Sequence, residues 1–299
     1  MDLTGIFPAL TTPFAADGAV SLEDVKHNIR RYNETELAGY VVLGSTGESV
    51  LLERNEMDAV LAAVKETAAA GKILIAGTGA ESTAETIART KRAAALGFQV
   101  ALVKTPYYYK PAYKPEVLIA HYRRVADASP IPVLLYSVPI FTGLALEAPE
   151  TIALAEHSNI VGIKESSGNI QRVSEMIAGA PSRFQVLVGS APTVYPALAV
   201  GARGAILALA SALPENCATL YRLFQEDQLT MARELQKFLL RASRLIVSEM
   251  GIAGLKYVMD RRGYRGGIPR LPLPALSAEQ KTKLAAFLAT LEQPIMASA

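Results

Sequence analysis

A closed (β/α)8 barrel with a C-terminal helical extension is the fold this sequence predicts, and three observations predict it. Eight short apolar runs recur along the first two thirds of the chain, each with the length and composition of a strand buried on both faces. Amphipathic helical patterns fill the intervals, so strand follows strand at about 20–35 residues, the spacing of parallel strands joined by crossover helices. Beyond Pro214 the strand pattern stops and only helical stretches follow. A doubly wound open sheet is the competing architecture, and the strand count favours closure.

In order, the runs are Gly5 to Ala9, Tyr40 to Leu43, Ile73 to Ala76, Val100 to Val103, Val133 to Tyr136, Ile160 to Ile163, Val186 to Val188 and Ala205 to Leu209. Several helix ends are readable between them. Ser21 followed by Asp24 is a near capping box. A helix within Leu52 to Ala70 stops at Gly71, and one within Glu81 to Leu96 stops at Gly97. Pro115 suits a first helical turn, and Asn169 is an N-cap for Ile170 to Ala178. The barrel is assigned to residues 1–224. Residues 225–299 form the extension, continuous with it, with helices at about Ala232 to Val247, Ala253 to Arg262 and Ser277 to Leu291. The loop Gly263 to Pro274, rich in Gly and Pro, separates the last two.

Composition narrows the function. The 299 residues are 51% apolar, enough for a sizeable core, and the formal net charge is only +2. With no basic tract, nucleic acid is a poor partner. The one cysteine, Cys217, excludes an intramolecular disulfide and a thiolate metal cluster and fits a reducing cytoplasm. The N-terminus reads as neither a signal nor a transit peptide, and no apolar run has membrane-spanning length. His27, His121 and His157 fall in or beside helical stretches, which argues against a histidine metal site or catalytic triad.

In a (β/α)8 barrel the chemistry sits at the C-terminal ends of the strands. Lys164 ends the run Asn-Ile-Val-Gly-Ile-Lys. Loss of solvation there favours a neutral amine, which attacks a ketone to give an iminium, an electron sink for breaking or making the adjacent C–C bond. A lysine that reaches out to solvent, or pairs with Glu165, is the structural alternative. Lys104 is its rival at another strand end. Tyr136 ends the preceding strand and is placed either to shuttle a proton or to pack at the rim. Gly44-Ser45-Thr46-Gly47-Glu48-Ser49 reads as an anion nest whose two glycines permit a sharp turn, or as an ordinary βα turn capped by Ser49. The loop Thr105-Pro106-Tyr107-Tyr108-Tyr109 offers a further phenol, or aromatic surface for a partner subunit.

Four motifs in order, Gly44-Ser-Thr-Gly-Glu-Ser, Thr105-Pro-Tyr-Tyr-Tyr, Tyr136-Ser-Val-Pro-Ile-Phe-Thr-Gly and Gly162-Ile-Lys-Glu-Ser-Ser-Gly, resemble the dihydrodipicolinate synthase and N-acetylneuraminate lyase family. The likeness runs from about Gly5 to beyond Pro272. It implies a (β/α)8 barrel with a helical extension, assembled as a homotetramer built from two dimers, that needs no metal or organic cofactor. It also implies roles. Lys164 matches the Schiff-base lysine and Tyr136 the proton-relaying tyrosine. Ser45 and Thr46 match the pair that binds the pyruvate carboxylate, Ser45 also joining the relay. Tyr108 matches the tyrosine that completes a relay from a neighbouring subunit, and Gly189 and Ile206 match positions lining the pyruvate pocket. Lys104 matches no catalytic position.

Phe141 is a departure. Dihydrodipicolinate synthases carry an arginine there that holds the carboxylate of the aldehyde substrate, and an apolar ring cannot do so. The wording around Ser129-Pro-Ile-Pro-Val-Leu-Leu-Tyr-Ser-Val-Pro, Gly189-Ser-Ala and Gly251-Ile-Ala-Gly-Leu-Lys is most similar to the 4-hydroxy-2-oxoglutarate aldolase branch. Ser166 matches a serine in that branch's pocket, whereas Thr46 stands where it carries asparagine. The expected function is a class I aldolase or lyase that takes a 4-hydroxy-2-oxo acid to pyruvate and an aldehyde such as glyoxylate, or runs the reverse. One alternative is dihydrodipicolinate synthase, with Arg265 or Arg270 replacing the missing arginine. Another is a non-catalytic barrel that binds a 2-oxo acid and regulates.

Overall fold

The computed structural model of the chain describes residues 1–289. Its strands are β1 (Gly5–Pro8), β2 (Gly39–Val42), β3 (Ile73–Gly77), β4 (Val100–Lys104), β5 (Val133–Ser137), β6 (Ile160–Glu165), β7 (Gln185–Val188) and β8 (Gly204–Leu207). They pair in parallel in the order β1-β8-β7-β6-β5-β4-β3-β2. The two ends of that row meet. The Ala38 N–H donates to the Ile6 carbonyl, and the Leu10 N–H to the Val41 carbonyl, each at 2.9 Å. The sheet is therefore a barrel and not the open alternative.

The strands read as unbroken apolar runs because both faces are buried. On β4, Val100 and Leu102 belong to a cluster inside the barrel that includes Phe7, Val41, Leu134 and Leu187. The intervening Ala101 and Val103 face the helical layer. The helices α1 (Leu22–Asn33), α2 (Arg54–Thr67), α3 (Thr83–Ala95), α4 (Pro115–Ala128), the short α5 (Pro139–Thr142), α6 (Ala148–Ala155), α7 (Ile170–Gly179), α8 (Val194–Ala199) and α9 (Pro214–Gln225) alternate with the strands or follow them. Three more, α10 (Leu229–Ser243), α11 (Gly251–Arg261) and α12 (Ala278–Ala289), build the extension, with a π-helical turn between α10 and α11.

Most element ends fall within a residue or two of expectation, and the exceptions have local causes. The Ser21 hydroxyl does not cap the backbone of α1; it donates to Asp24 Oδ2 at 2.7 Å. α2 ends at Thr67, well before Gly71, because Ala68 turns to an extended conformation and Asn33 Oδ1 accepts the Ala69 N–H. The eighth run leaves the sheet at Leu207, and Leu209 begins a 3-10 turn. The helix expected over Ala232 to Val247 starts at Leu229 and changes to π geometry at Arg244. Pro115 opens α4, and Asn169 Oδ1 accepts the Arg172 N–H, both as expected. Leu291 lies outside the described residues.

No helix is long and apolar enough to cross a membrane among the described residues. The histidines serve packing. His27 meets the Gly263 carbonyl and His157 meets Asp127. His121 on α4 is 8% exposed and bonds through Nδ1 to the Thr83 hydroxyl at 2.9 Å. Burial is the main cause that pulls its pKa from 6.5 down to about 4. The folded state thus refuses a proton that the unfolded chain accepts below pH 6.5, so the neutral ring's contribution is lost as pH falls from 6.5 towards 4. Stability should drop by up to about 1.4 kcal/mol per pH unit across that window from this group. Replacing His121 by Gln should flatten that part of a stability-against-pH curve measured by urea unfolding.

Candidate active site

Register assembles the site. Lys104 on β4 pairs with Tyr136 on β5, Tyr136 with Lys164 on β6, and Lys164 with Leu187 on β7. Paired residues on neighbouring parallel strands project to the same side, and Tyr136 and Leu187 belong to the cluster inside the barrel. Lys164 and Tyr136 are 4% and 5% exposed, and the amine of Lys164 lies 4.4 Å from the centre of the Tyr136 ring. The Tyr136 hydroxyl reaches Ser45 Oγ at 3.4 Å, across the mouth from the end of β2. Three of the residues singled out for Schiff-base chemistry therefore meet.

The two strand-end lysines separate here. The Lys104 amine donates to the Gly79 carbonyl at 3.0 Å and packs over the Tyr107 ring, turned towards the loop after β3. Burial holds its pKa below the usual lysine range. Glu165 is not a partner for Lys164: it accepts the Ser167 N–H and pairs with Arg172 at 3.4 Å.

Gly189, just past β7, closes one wall. A Cβ there would stand 1.9 Å from Ser166 Oγ and 3.0 Å from Lys164 Cε, so only glycine leaves room for both. The Ser166 hydroxyl is buried and has no hydrogen-bond partner among the described residues. A buried hydroxyl left without a partner is costly unless something else meets it, and a bound ligand can. Ile206 on β8 is fully buried in the cluster inside the barrel.

The loop after β2 holds Ser45 and Thr46. It turns sharply, but not at its glycines. The left-handed residues are Leu43 (φ 59°) and Glu48 (φ 53°), and neither Gly44 nor Gly47 has positive φ. Ser49 opens a 3-10 turn, and Glu53 with Glu56 forms the capping box of α2, so the reading of Ser49 as that helix's cap is set aside. Thr46 is buried, and the N–H groups of Ser45 and Thr46 find no acceptor among the described residues.

Two residues lie further out. Phe141 on α5 is 65% exposed and Tyr108 is 72% exposed. Glu81 accepts the N–H groups of Tyr107 and Tyr108, which holds the aromatic loop with Tyr108 turned out to solvent. Of the two arginines that could stand in for one at position 141, Arg270 is engaged elsewhere. Arg270 forms a two-pronged pair with Glu56 at 2.5 and 2.6 Å and donates to the Gly18 and Leu51 carbonyls. Arg265 stands 4.0 Å from Asp24. No cluster of three or more potential metal ligands occurs among the described residues.

Comparison with known proteins gives the same class. The dihydrodipicolinate synthetase family model matches residues 2–291. A 4-hydroxy-tetrahydrodipicolinate synthase from an Exiguobacterium species is 39% identical over 291 residues, covering 97% of each chain. Among solved structures, dihydrodipicolinate synthase from Aquifex aeolicus superposes with a TM-score of 0.92 at 30% identity, covering 98% of this chain and 100% of the other. The enzyme from Acinetobacter baumannii, solved with pyruvate, gives 0.91 at 30% identity over 96% and 98%. Fold and site define a class I lyase, one that works through a lysine Schiff base with pyruvate and no external cofactor. The chain belongs to the dihydrodipicolinate synthetase family.

Sequence inspection missed the tie between Gly189 and Ser166, and it missed that Glu48 supplies the sharp turn. A lone charged residue inside a Gly/Ser/Thr loop was the available signal for Glu48. Because a methyl group at position 189 would crowd the Lys164 side chain, Gly189→Ala should fold and yet lose roughly 10²-fold in kcat/KM, as expected when a reacting group is displaced by about an ångström. Steady-state kinetics alongside a thermal melt would check this.

Proposed function

We propose that Lys164 is the nucleophile of an aldolase that converts a 4-hydroxy-2-oxo acid to pyruvate and a short aldehyde such as glyoxylate, or joins the two. The Lys164 amine adds to the C2 ketone and water leaves, forming the iminium. The C4 hydroxyl then gives its proton to the Tyr136–Ser45 pair as the C3–C4 bond breaks. The bonding electrons pass to the iminium, the aldehyde departs and an enamine remains. Protonation of the enamine carbon and hydrolysis release pyruvate and the free amine. Ser45 and Thr46 hold the pyruvate carboxylate. Tyr108, turned out of its own subunit, completes the relay in a neighbouring one within a homotetramer. A reducing cytoplasm suits the buried, unpaired Cys217.

The observation that carries the choice of aldehyde is Phe141. Aspartate semialdehyde holds its carboxylate several bonds from the aldehyde carbon, out where the synthases place an arginine, and a phenyl ring offers it nothing. Glyoxylate holds its carboxylate next to the aldehyde carbon, within the inner pocket where the orphaned Ser166 hydroxyl lies. The second reading is 4-hydroxy-tetrahydrodipicolinate synthase, and the relatives favour it: proteins of that name are 36–39% identical over nearly the whole chain. Engagement of Arg270 with Glu56 weighs against it.

Borohydride reduction in the presence of pyruvate should add a stable mass to the peptide that carries Lys164, and Lys164→Ala should abolish it; label on Lys104 would sink the assignment. Coupled assays then separate the readings. A charge-assisted pair is worth about 1.5–3 kcal/mol, or roughly ten- to a hundred-fold in rate. Turnover of aspartate semialdehyde should accordingly trail that of 4-hydroxy-2-oxoglutarate, and robust synthase activity would establish the second reading. Tyr108→Phe should keep the oligomer in sedimentation and slow turnover by roughly 10²-fold.

A further inference from the structure

The loop that carries Ser45 and Thr46 is held from beneath by the C-terminal extension. Glu48 points away from the mouth into a buried space, where its carboxylate lies 2.6 Å from the amine of Lys256 on α11; both side chains are 1% exposed. The other carboxylate oxygen accepts the backbone N–H of Arg270 at 2.8 Å. Lys256 also donates to the carbonyls of Thr12 and Ile268, at 2.8 and 2.7 Å. Thr12 in turn donates its hydroxyl to the Gly47 carbonyl at 2.7 Å. One amine thus connects the end of β1, the loop after β2 and the loop after α11. The Phe14 ring lies under the Lys256 amine and the Arg270 guanidinium, at 4.5 and 4.4 Å, and fixes where both cations stand.

A buried ion pair is a poor way to gain stability, since apolar side chains of similar volume generally do as well or better. What this pair does is geometrical. Glu48 has a left-handed backbone, which side chains other than glycine seldom adopt and which persists only where the surroundings impose it. Both of its carboxylate oxygens are fastened by groups from the extension, so it cannot relax. Its backbone N–H reaches back to the Ser45 carbonyl, and that of Gly47 to the Gly44 carbonyl, each at 3.1 Å. These bonds shape the turn that leaves the Ser45 and Thr46 N–H groups unpaired. We infer that Lys256 and Glu48 are positioning residues, a buried pair through which the C-terminal extension holds the Ser45–Thr46 turn open for the carboxylate of the 2-oxo acid. Neither touches the substrate. The inference rests on the reading of that turn as the carboxylate site.

The test measures pyruvate capture in the full-length protein. Borohydride trapping over a range of pyruvate concentrations gives a half-saturating concentration and a limiting rate, and a thermal melt gives Tm. In the double variant Glu48→Gln/Lys256→Met no charge is left buried. Its Tm should stay near that of the parent, while half-saturating pyruvate rises at least tenfold and the limiting rate changes far less. Glu48→Gln alone keeps the shape and the Arg270 contact but leaves the Lys256 charge unpaired, so its Tm should fall; half-saturating pyruvate should still rise in the protein that stays folded, and this variant serves if the double variant does not fold. A merely structural pair would lower Tm and the active fraction and leave half-saturation unmoved, and that result overturns the inference. Thr46→Val is the control for the underlying reading. If it leaves capture unchanged, the carboxylate site itself is misplaced; if it weakens capture while the Glu48 and Lys256 variants do not, only the positioning role falls.

Discussion

The pairing of β5 with β6 sets Tyr136 beside Lys164, and the rest of the site is arranged around that contact. A lysine inside a barrel needs a setting that tolerates an amine without solvating it fully. The electron-rich face of the tyrosine supplies one, and the same tyrosine presents its hydroxyl to Ser45. The contact depends in turn on closure. Ser45 follows β2 and Tyr136 ends β5, and the two meet because the strands between them curve round a ring. An open sheet with the same strands would leave them apart.

The extension is part of the same construction. Strands fix the lysine and the tyrosine, but the third member of the site rides on a loop, and a loop has no ladder of hydrogen bonds to hold it. Here α11 and the segment after it take that role, through Lys256 and through the backbone of Arg270. That places charged groups where composition alone would predict apolar ones. It also explains why the guanidinium of Arg270, tied to Glu56 and stacked over Phe14, does not serve the mouth.

Whole-chain identity to proteins named as synthases fixes the family and the Schiff-base step, which depend on residues deep in the barrel. Short segments at the mouth such as α5 are different in kind, because one side chain there can change without disturbing the fold. The exposed Phe141 and the buried Ser166 hydroxyl are the two features on which the proposed choice of a short acceptor rests.

By itself the sequence determined the barrel, because a strand buried on both faces has to be apolar throughout and a crossover helix has to be amphipathic, and both leave marks of fixed period. It also determined the candidates Lys164, Tyr136, Ser45 and Thr46, since polar residues at the ends of apolar strands are few and stand out. Tertiary structure decided what periodicity does not encode. It separated Lys164 from Lys104, two strand-end lysines that look alike along the chain, by turning one against Tyr136 and the other towards Gly79. It moved the sharp turn of the Ser45–Thr46 loop from the two glycines to Leu43 and Glu48, and contacts from residues more than two hundred positions away hold Glu48 in a backbone that local propensity would not choose. It also withdrew Arg270 from the mouth by giving it Glu56 as a carboxylate partner. The reason is the same in each case: a side chain's direction and its partner are set by contacts between segments remote in the chain, and a pattern read along one segment carries no record of them.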